Sequence, residues 1–194
     1  PKEEKPLDLG GLFSHNPQEI WLEIGFGGGE HLADNAAAHP TIGLIGCEVF
    51  INGVGSLLQH IEEKKLTNVR IFHEDARMLL KQIPKHSLHK IFVMFPDPWP
   101  KARHNKRRLL QKGFLERAIE LLIPGGELRM ATDHADYLEA ILEALSQVPA
   151  LTWTENKTLE QRQVRPHDWP PTRYEAKAME QGRACSYLSL KSVV

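Results

Sequence analysis

The sequence predicts an α/β fold: a doubly wound, mostly parallel sheet with helices on both faces. Two observations carry this. Short apolar runs alternate with amphipathic stretches of helical period along nearly the whole chain. Acidic residues also recur where those runs end, at Glu23, Glu48, Asp75, Asp97 and Asp133. Parallel sheets of this kind bind ligands at the carboxyl ends of their strands. Acidic side chains gathered at that edge are hard to attribute to solubility.

The elements follow in order. Residues 1–18 are polar and rich in Pro and Gly, and read as a lead-in with little structure, leaving 19–194 as the domain. Residues 20–24 are the first strand and run into Gly25-Phe26-Gly27-Gly28-Gly29. A helix is expected over 30–38, stopped by His39-Pro40. A second strand over 41–47 ends at Glu48. Val54, Leu57, Leu58 and Ile61 recur three or four apart, which predicts a helix over 52–65. A third strand over 68–72 leads to His73-Glu74-Asp75-Ala76 and a short helix over 78–83. The fourth strand, 88–95, feeds a proline-rich turn. Residues 108–122 read as a helix with Leu109, Phe114, Leu115, Ala118, Ile119 and Leu122 on its apolar face, broken by Pro124-Gly125-Gly126. Then come a strand over 127–131, a helix over 135–147 and a strand over 151–154. Residues 156–181 are polar and read as a long loop with some helix, and 184–193 is the final strand.

The whole molecule is not a generic binder of polyanions. It carries 24 Lys and Arg against 25 Asp and Glu, a net charge of −1. Any contact with nucleic acid must come from a local patch, and the stretch from Lys101 to Lys112 supplies one. The 2 cysteines, Cys47 and Cys185, form no metal spacing and no disulfide framework. No histidine pair is joined by further ligands, so no metal is expected. There is no bilayer-spanning run and no signal peptide, so a cytoplasmic location without membrane contact is expected. Pro1 is not an initiator, which suggests that a natural N-terminal piece precedes it.

The richest stretch is Phe95-Pro96-Asp97-Pro98-Trp99-Pro100-Lys101-Ala102-Arg103-His104-Asn105-Lys106-Arg107-Arg108. Proline fixes φ and restricts the residue before it. Asp97 and Trp99 are therefore expected in a stiff turn at a strand end. A rigid carboxylate, an aromatic plane and a row of cations suit a base attached to phosphates. The plain alternative is a proline-rich loop beside a solvated basic surface. The glycine turn lets a ligand approach the backbone. Glu23, two residues before its first glycine, suits a cationic ligand better than a pyrophosphate. Glu48 is placed for ribose hydroxyls, or is a plain strand-end residue. Asp75 is placed for an adenine amino group, or is the N-cap of the next helix.

The Glu23-x-Gly25-x-Gly27-x-Gly29 turn with acidic residues after the second and third strands resembles the Rossmann-like, class I methyltransferases. That resemblance implies a seven-stranded sheet and S-adenosylmethionine, with these positions holding its methionine end, ribose and adenine. The proline-tryptophan-basic stretch, Ala131-Thr132-Asp133 and Thr172-Arg173-Tyr174-Glu175 closely resemble the bacterial tRNA (guanine-N7)-methyltransferase family. The likeness runs from Leu22 to Tyr187. It implies transfer of a methyl group to N7 of a guanine in the tRNA variable loop. It implies that Asp97 is the acidic residue of the catalytic site and also lies beside the cofactor. Lys101, Asp133, Thr172, Arg173, Tyr174 and Glu175 would contact substrate. Arg103, Lys106, Arg107 and Arg108 would meet tRNA phosphates. Two departures stand out: Pro100 replaces a histidine common in relatives, and the leader that helps hold RNA is short or missing.

Competing readings remain at this point. Asp97-Pro98-Trp99 imperfectly echoes the turn of amino-methyltransferases, which act on exocyclic amines. A non-catalytic RNA-binding protein of the same fold is a third reading, and a dehydrogenase lacks any visible hydride-transfer residues. Trp99 is either a stacking platform or packing. Thr132-Asp133 and Tyr174-Glu175 also read as helix starts. Monomer and homodimer are both open.

Overall fold

The computed structural model describes residues 6–194. Seven strands form one sheet in the order β3-β2-β1-β4-β5-β7-β6. They are β1 (Ile20–Ile24), β2 (Gly43–Cys47), β3 (Val69–Phe72), β4 (Leu88–Met94), β5 (Leu122–Thr132), β6 (Leu151–Trp153) and β7 (Ser186–Ser192). The first five run parallel, while β7 pairs antiparallel with both β5 and β6. The order reverses between β1 and β4, which places the switch point beside the glycine turn.

Every residue of β1 and β2 is buried, as expected of central strands covered on both faces. One face carries α1 (Glu30–Ala38) and α2 (Ile51–Lys64), packed through Leu32, Ala33, Ala36, Val54 and Leu57 against Trp21, Leu44 and Phe92. The opposite face carries α3 (Ala76–Gln82), α4 (Lys112–Leu121) and α5 (Ala135–Ser146), through Leu79, Leu115, Ile119, Tyr137 and Ile141. Two layers of helix on one sheet match the expected class. No helix among the described residues is long and apolar enough to cross a membrane.

Three local expectations need correction. The lead-in is structured from Leu7 onward: Leu9 and Phe13 are buried in the core, and Arg70 donates to the carbonyl oxygen of Leu12 at 2.6 Å. Residues 1–5 of that segment lie outside the described ones. The helix expected over 108–122 begins at Lys112, because Arg108 turns inward and Gln111 is extended. A 3₁₀ segment, Ala102–Arg107, carries the basic residues instead. The Pro124-Gly125-Gly126 stretch lies inside β5, where Leu122 pairs with Leu88 before an irregularity, so it is a bulge rather than a break. The segment 156–181 is, as expected, a long loop with some helix; its α-helix is α6 (Arg173–Glu180), seated over the α1–α2 face by Trp169 and Ala178.

Candidate active site

The glycine turn that follows β1 is built for close approach. Gly25, Gly27 and Gly29 all take positive φ. At Gly27 the φ of +57° disfavours any side chain, and a Cβ there would stand 2.7 Å from the Tyr174 ring. A Cβ on Gly53, at the start of α2, would meet the Gly27 carbonyl oxygen at 2.3 Å. Glu48 joins these parts. It is buried and accepts hydrogen bonds from Gly27 N at 2.9 Å, Val49 N at 2.8 Å and Phe50 N at 2.9 Å. It is not a plain strand-end residue but the tie between the turn and the start of α2. Three backbone donors also fix its orientation, and leave part of its acceptor capacity open. Gly27, Gly28, Glu48, Phe50, Asn52 and Gly53, roofed by Arg173 and Tyr174, enclose about 210 Å³. Gly53 was not singled out from sequence, although a glycine inside a helical pattern is the available signal.

Glu23 lies within β1 rather than past its end. It is buried beneath the turn and meets His31 Nδ1 at 2.7 Å; Asn35 Nδ2 stands 3.3 Å from the other ring nitrogen. A buried carboxylate is tolerated when it is paired in this way. Asp75 takes the position of the plain alternative: its side chain accepts from Arg77 N at 2.8 Å and caps α3. The Arg77 guanidinium lowers its pKa below the usual carboxylate range. Cys47 is buried beside it and donates to the Glu74 carbonyl oxygen, and burial pushes the thiol up to about 12.

Thr172 to Glu175 start α6. Thr172 accepts from Glu175 N at 3.0 Å, half of a capping box. Glu175 was expected on substrate. The structure corrects that: it is 4% exposed, and Oε1 receives Arg165 Nε at 2.9 Å and Tyr187 Oη at 2.5 Å. It holds α6 down from within. Arg173 extends to the glycine turn, where Nε donates to Glu30 Oε1 at 2.8 Å.

Beyond β4, Phe95 has φ 52° and Trp99 has φ 43°, each directly before a proline. Bulky residues with positive φ are sparse, and such strain gathers at functional sites. The stiff turn foreseen from the prolines is therefore also a strained one. Asp97, at its tip, is exposed. Arg108 was expected to meet phosphate, and the structure corrects that too. It is buried, donates to the Pro98 carbonyl oxygen at 2.7 Å and is paired with Asp136. Lys101, Arg103, Lys106 and Arg107 remain exposed on the 3₁₀ segment and its flank. Arg107 covers one face of Trp99 with its guanidinium 5.0 Å from the ring centroid, and His104 meets that ring edge-on. Trp99 is thus packed as well as placed. After β5, Asp133 Oδ2 accepts from Arg183 Nε at 2.7 Å, a partner not foreseen from sequence. His134 Nδ1 is buried without a hydrogen-bond partner among the described residues. Among those residues no group of three or more His, Cys, Asp or Glu is arranged to hold a metal ion.

Residues 17–188 match a family model described as "Putative methyltransferase". The chain is 48% identical over 186 residues to the tRNA (guanine-N(7)-)-methyltransferase of Rhodospirillum rubrum, covering 96% of this chain and 72% of that protein. It is 45% identical over 185 residues to the protein of the same name from Paramagnetospirillum magneticum, covering 95% and 76%. Among solved structures it superposes on TrmN from Thermus thermophilus with a TM-score of 0.62, over 91% of this chain and 44% of that one. Identity there is 19%, so this likeness speaks to the fold alone.

Proposed function

Because the chain belongs to the tRNA (guanine-N(7)-)-methyltransferase family, we infer that it transfers a methyl group from S-adenosylmethionine to N7 of a guanine in the variable loop of tRNA. The observation that carries the reading is one juxtaposition. A glycine cradle with a fixed, buried carboxylate sits at the β1–β2 edge, and the strained turn bearing Asp97 follows the adjacent strand, β4. The exposed cations Lys101, Arg103, Lys106 and Arg107 follow that turn.

The residues present fit the cofactor. Gly27 and Gly28 bare their backbone where a Cβ would clash with α6, which leaves room for a ligand only if α6 gives way. Glu48 offers free acceptor capacity to vicinal hydroxyls, and Phe50 is an exposed apolar neighbour for a flat base. Glu23 beneath the turn favours a cationic group above it. When bound, S-adenosylmethionine supplies an electrophilic methyl group on a sulfonium sulfur. Guanine N7 carries a lone pair and no proton at neutral pH, so no residue has to act as a base before attack. The residues have to position and polarise. Asp97 accepts hydrogen bonds side by side from guanine N1–H and the exocyclic amine, raising electron density on the ring. Its charge also offsets the positive charge that the purine gains as N7 is alkylated. Asp133, held by Arg183, is the second carboxylate at this edge. Lys101, Arg103, Lys106 and Arg107 draw the tRNA backbone to the strand ends.

Transfer of labelled methyl from S-adenosylmethionine to unmodified tRNA, followed by nucleoside analysis, tests the reading. N7-methylguanosine is the expected product, recognised by its cleavage after reduction and aniline treatment. Label on an exocyclic amine, which survives that treatment, would replace it with the amino-methyltransferase reading. Absence of transfer would leave an RNA-binding protein.

A further inference from the structure

We propose that Arg173 binds the carboxylate at the amino-acid end of the cofactor, and that Glu30 holds it in place until then. The proposal rests on reading the glycine turn as the S-adenosylmethionine site. Four observations lead to it.

Arg173 lies in the notch that Gly28 leaves. A Cβ on Gly28 would fall 1.3 Å from Arg173 Nη2 and 2.2 Å from Cζ, so the guanidinium occupies the space over the turn. Arg173 is also the one cation among the residues that line the cavity. The neighbouring charges are Glu48 in the lining and Glu30 at the first position of α1. An amino-acid ligand brings a carboxylate as well as an ammonium. The N-terminus of α1 alone would attract that carboxylate, but Glu30 stands at that same end and repels it. A cation is needed there, and Arg173 is in position.

The guanidinium is not saturated. Nε is bound to Glu30 Oε1 at 2.8 Å and Nη2 reaches Ser56 Oγ at 3.4 Å. A guanidinium has five N–H donors in a fork that matches a carboxylate. Arg173 therefore has donors free for a second carboxylate, and its side chain is 52% exposed, which permits movement. Finally, the cavity of about 210 Å³ falls below the roughly 300–1,000 Å³ usual for small-molecule sites. Arg173 and Tyr174 form its roof, so entry of the whole cofactor displaces them. The exchange of Glu30 for the ligand carboxylate gives Arg173 a new partner as it moves. Arg173 opens α6, and Arg183 just past its other end is tied to Asp133.

Calorimetric titration with two probes tests this. S-adenosylhomocysteine carries the amino-acid end; 5′-methylthioadenosine keeps the adenosine and thioether and lacks it. Arg173→Met is expected to weaken S-adenosylhomocysteine by about tenfold or more, the scale of a lost charge-assisted pair. Its affinity for methylthioadenosine should stay within about twofold of wild type, which also shows the variant is folded. Unchanged affinity for S-adenosylhomocysteine, or equal losses for both probes, would overturn the proposal. Glu30→Gln removes the competing carboxylate and is expected to tighten S-adenosylhomocysteine several-fold. Unchanged or weaker binding by that variant would overturn the holding role of Glu30. Failure of the wild type to bind either probe would overturn the cofactor reading itself, and the role of Arg173 with it.

Discussion

Arg108 Nε donates to the carbonyl oxygen of Pro98 at 2.7 Å, so a buried guanidinium grips the turn that presents Asp97. The same guanidinium is paired with Asp136, whose carboxyl it holds below the ordinary range by hydrogen bonding. It also lies over the Tyr137 ring, with its central carbon 5.0 Å from the centroid. The proline turn is therefore tethered to the start of α5.

Arg108→Met keeps the volume and removes the grip. Losing a charge-assisted bond of this kind is expected to cost about 1–3 kcal/mol, read as a lower denaturant midpoint. Methyl transfer should fall further than that loss explains at temperatures where the variant is folded, because Asp97 is no longer held. Wild-type turnover in the folded variant would show that the proline turn holds itself. The Asp136 side of the tether is pH-sensitive. A carboxyl with a depressed pKa stabilises the fold above its unfolded value, near 4. That contribution disappears as pH falls through the folded value.

Asp97→Asn separates catalysis from assembly. The side chain is exposed, so stability should stay within about 0.5 kcal/mol of wild type. An amide cannot accept two hydrogen bonds side by side, nor offset charge on the purine. The turnover number should drop by about 10²–10³-fold, the scale of losing one preorganised electrostatic contact. Affinity for tRNA measured at equilibrium should change far less. Equal losses in both would make Asp97 a binding residue only.

The cation row predicts a salt dependence. Lys101, Arg103, Lys106 and Arg107 are exposed, whereas Arg108 is spoken for. Each phosphate contact that is lost should reduce the slope of log K against log salt by about 1. Lys106→Ala is expected to do so, and Arg108→Met is expected to leave the slope unchanged. A complex insensitive to salt would remove the phosphate role from the whole row.

That contrast also marks how far the sequence could be read. Arg107 and Arg108 are adjacent and chemically alike, and nothing local says which one turns inward. The answer lies with Asp136 and Tyr137, some thirty positions on, whose relation to the turn exists only in the fold. The glycine turn, Glu48 and the proline turn were legible because strand ends and proline act through neighbouring residues. The ties Arg173–Glu30 and Arg183–Asp133 span 143 and 50 positions and leave no spacing to recognise. Glu175 is a different case. Thr172 with Glu175 three residues later is a helix-start pattern present in the letters, and that reading accounts for Glu175 N bonding to Thr172. The inward turn of its carboxylate to Arg165 and Tyr187 was not available from the letters.

Tyr137 packs under the Arg108 guanidinium that grips the proline turn, and it should govern part of the alkaline limit. It is fully buried, and its hydroxyl oxygen accepts from Leu110 N at 2.9 Å. Burial pushes its pKa up to about 12, and the nearby Asp97 carboxylate adds to the rise. Below pH ~10 the hydroxyl is protonated in both folded and unfolded chains, and its contribution is intact. Above that, the unfolded chain releases the proton first, so stability falls until the folded value is reached. A pKa raised from about 10 to about 12 corresponds to roughly 2–3 kcal/mol lost over that window. Tyr187 is raised as well, by burial and by Glu175, and acts in the same direction. Tyr137→Phe leaves Leu110 N without a partner, an expected cost of about 1–3 kcal/mol at neutral pH. The variant should then lose less stability than wild type between pH 10 and 12. Urea midpoints for the two proteins, measured across that range, should converge. Parallel curves would mean that Tyr137 ionises in the folded chain as readily as in the unfolded one.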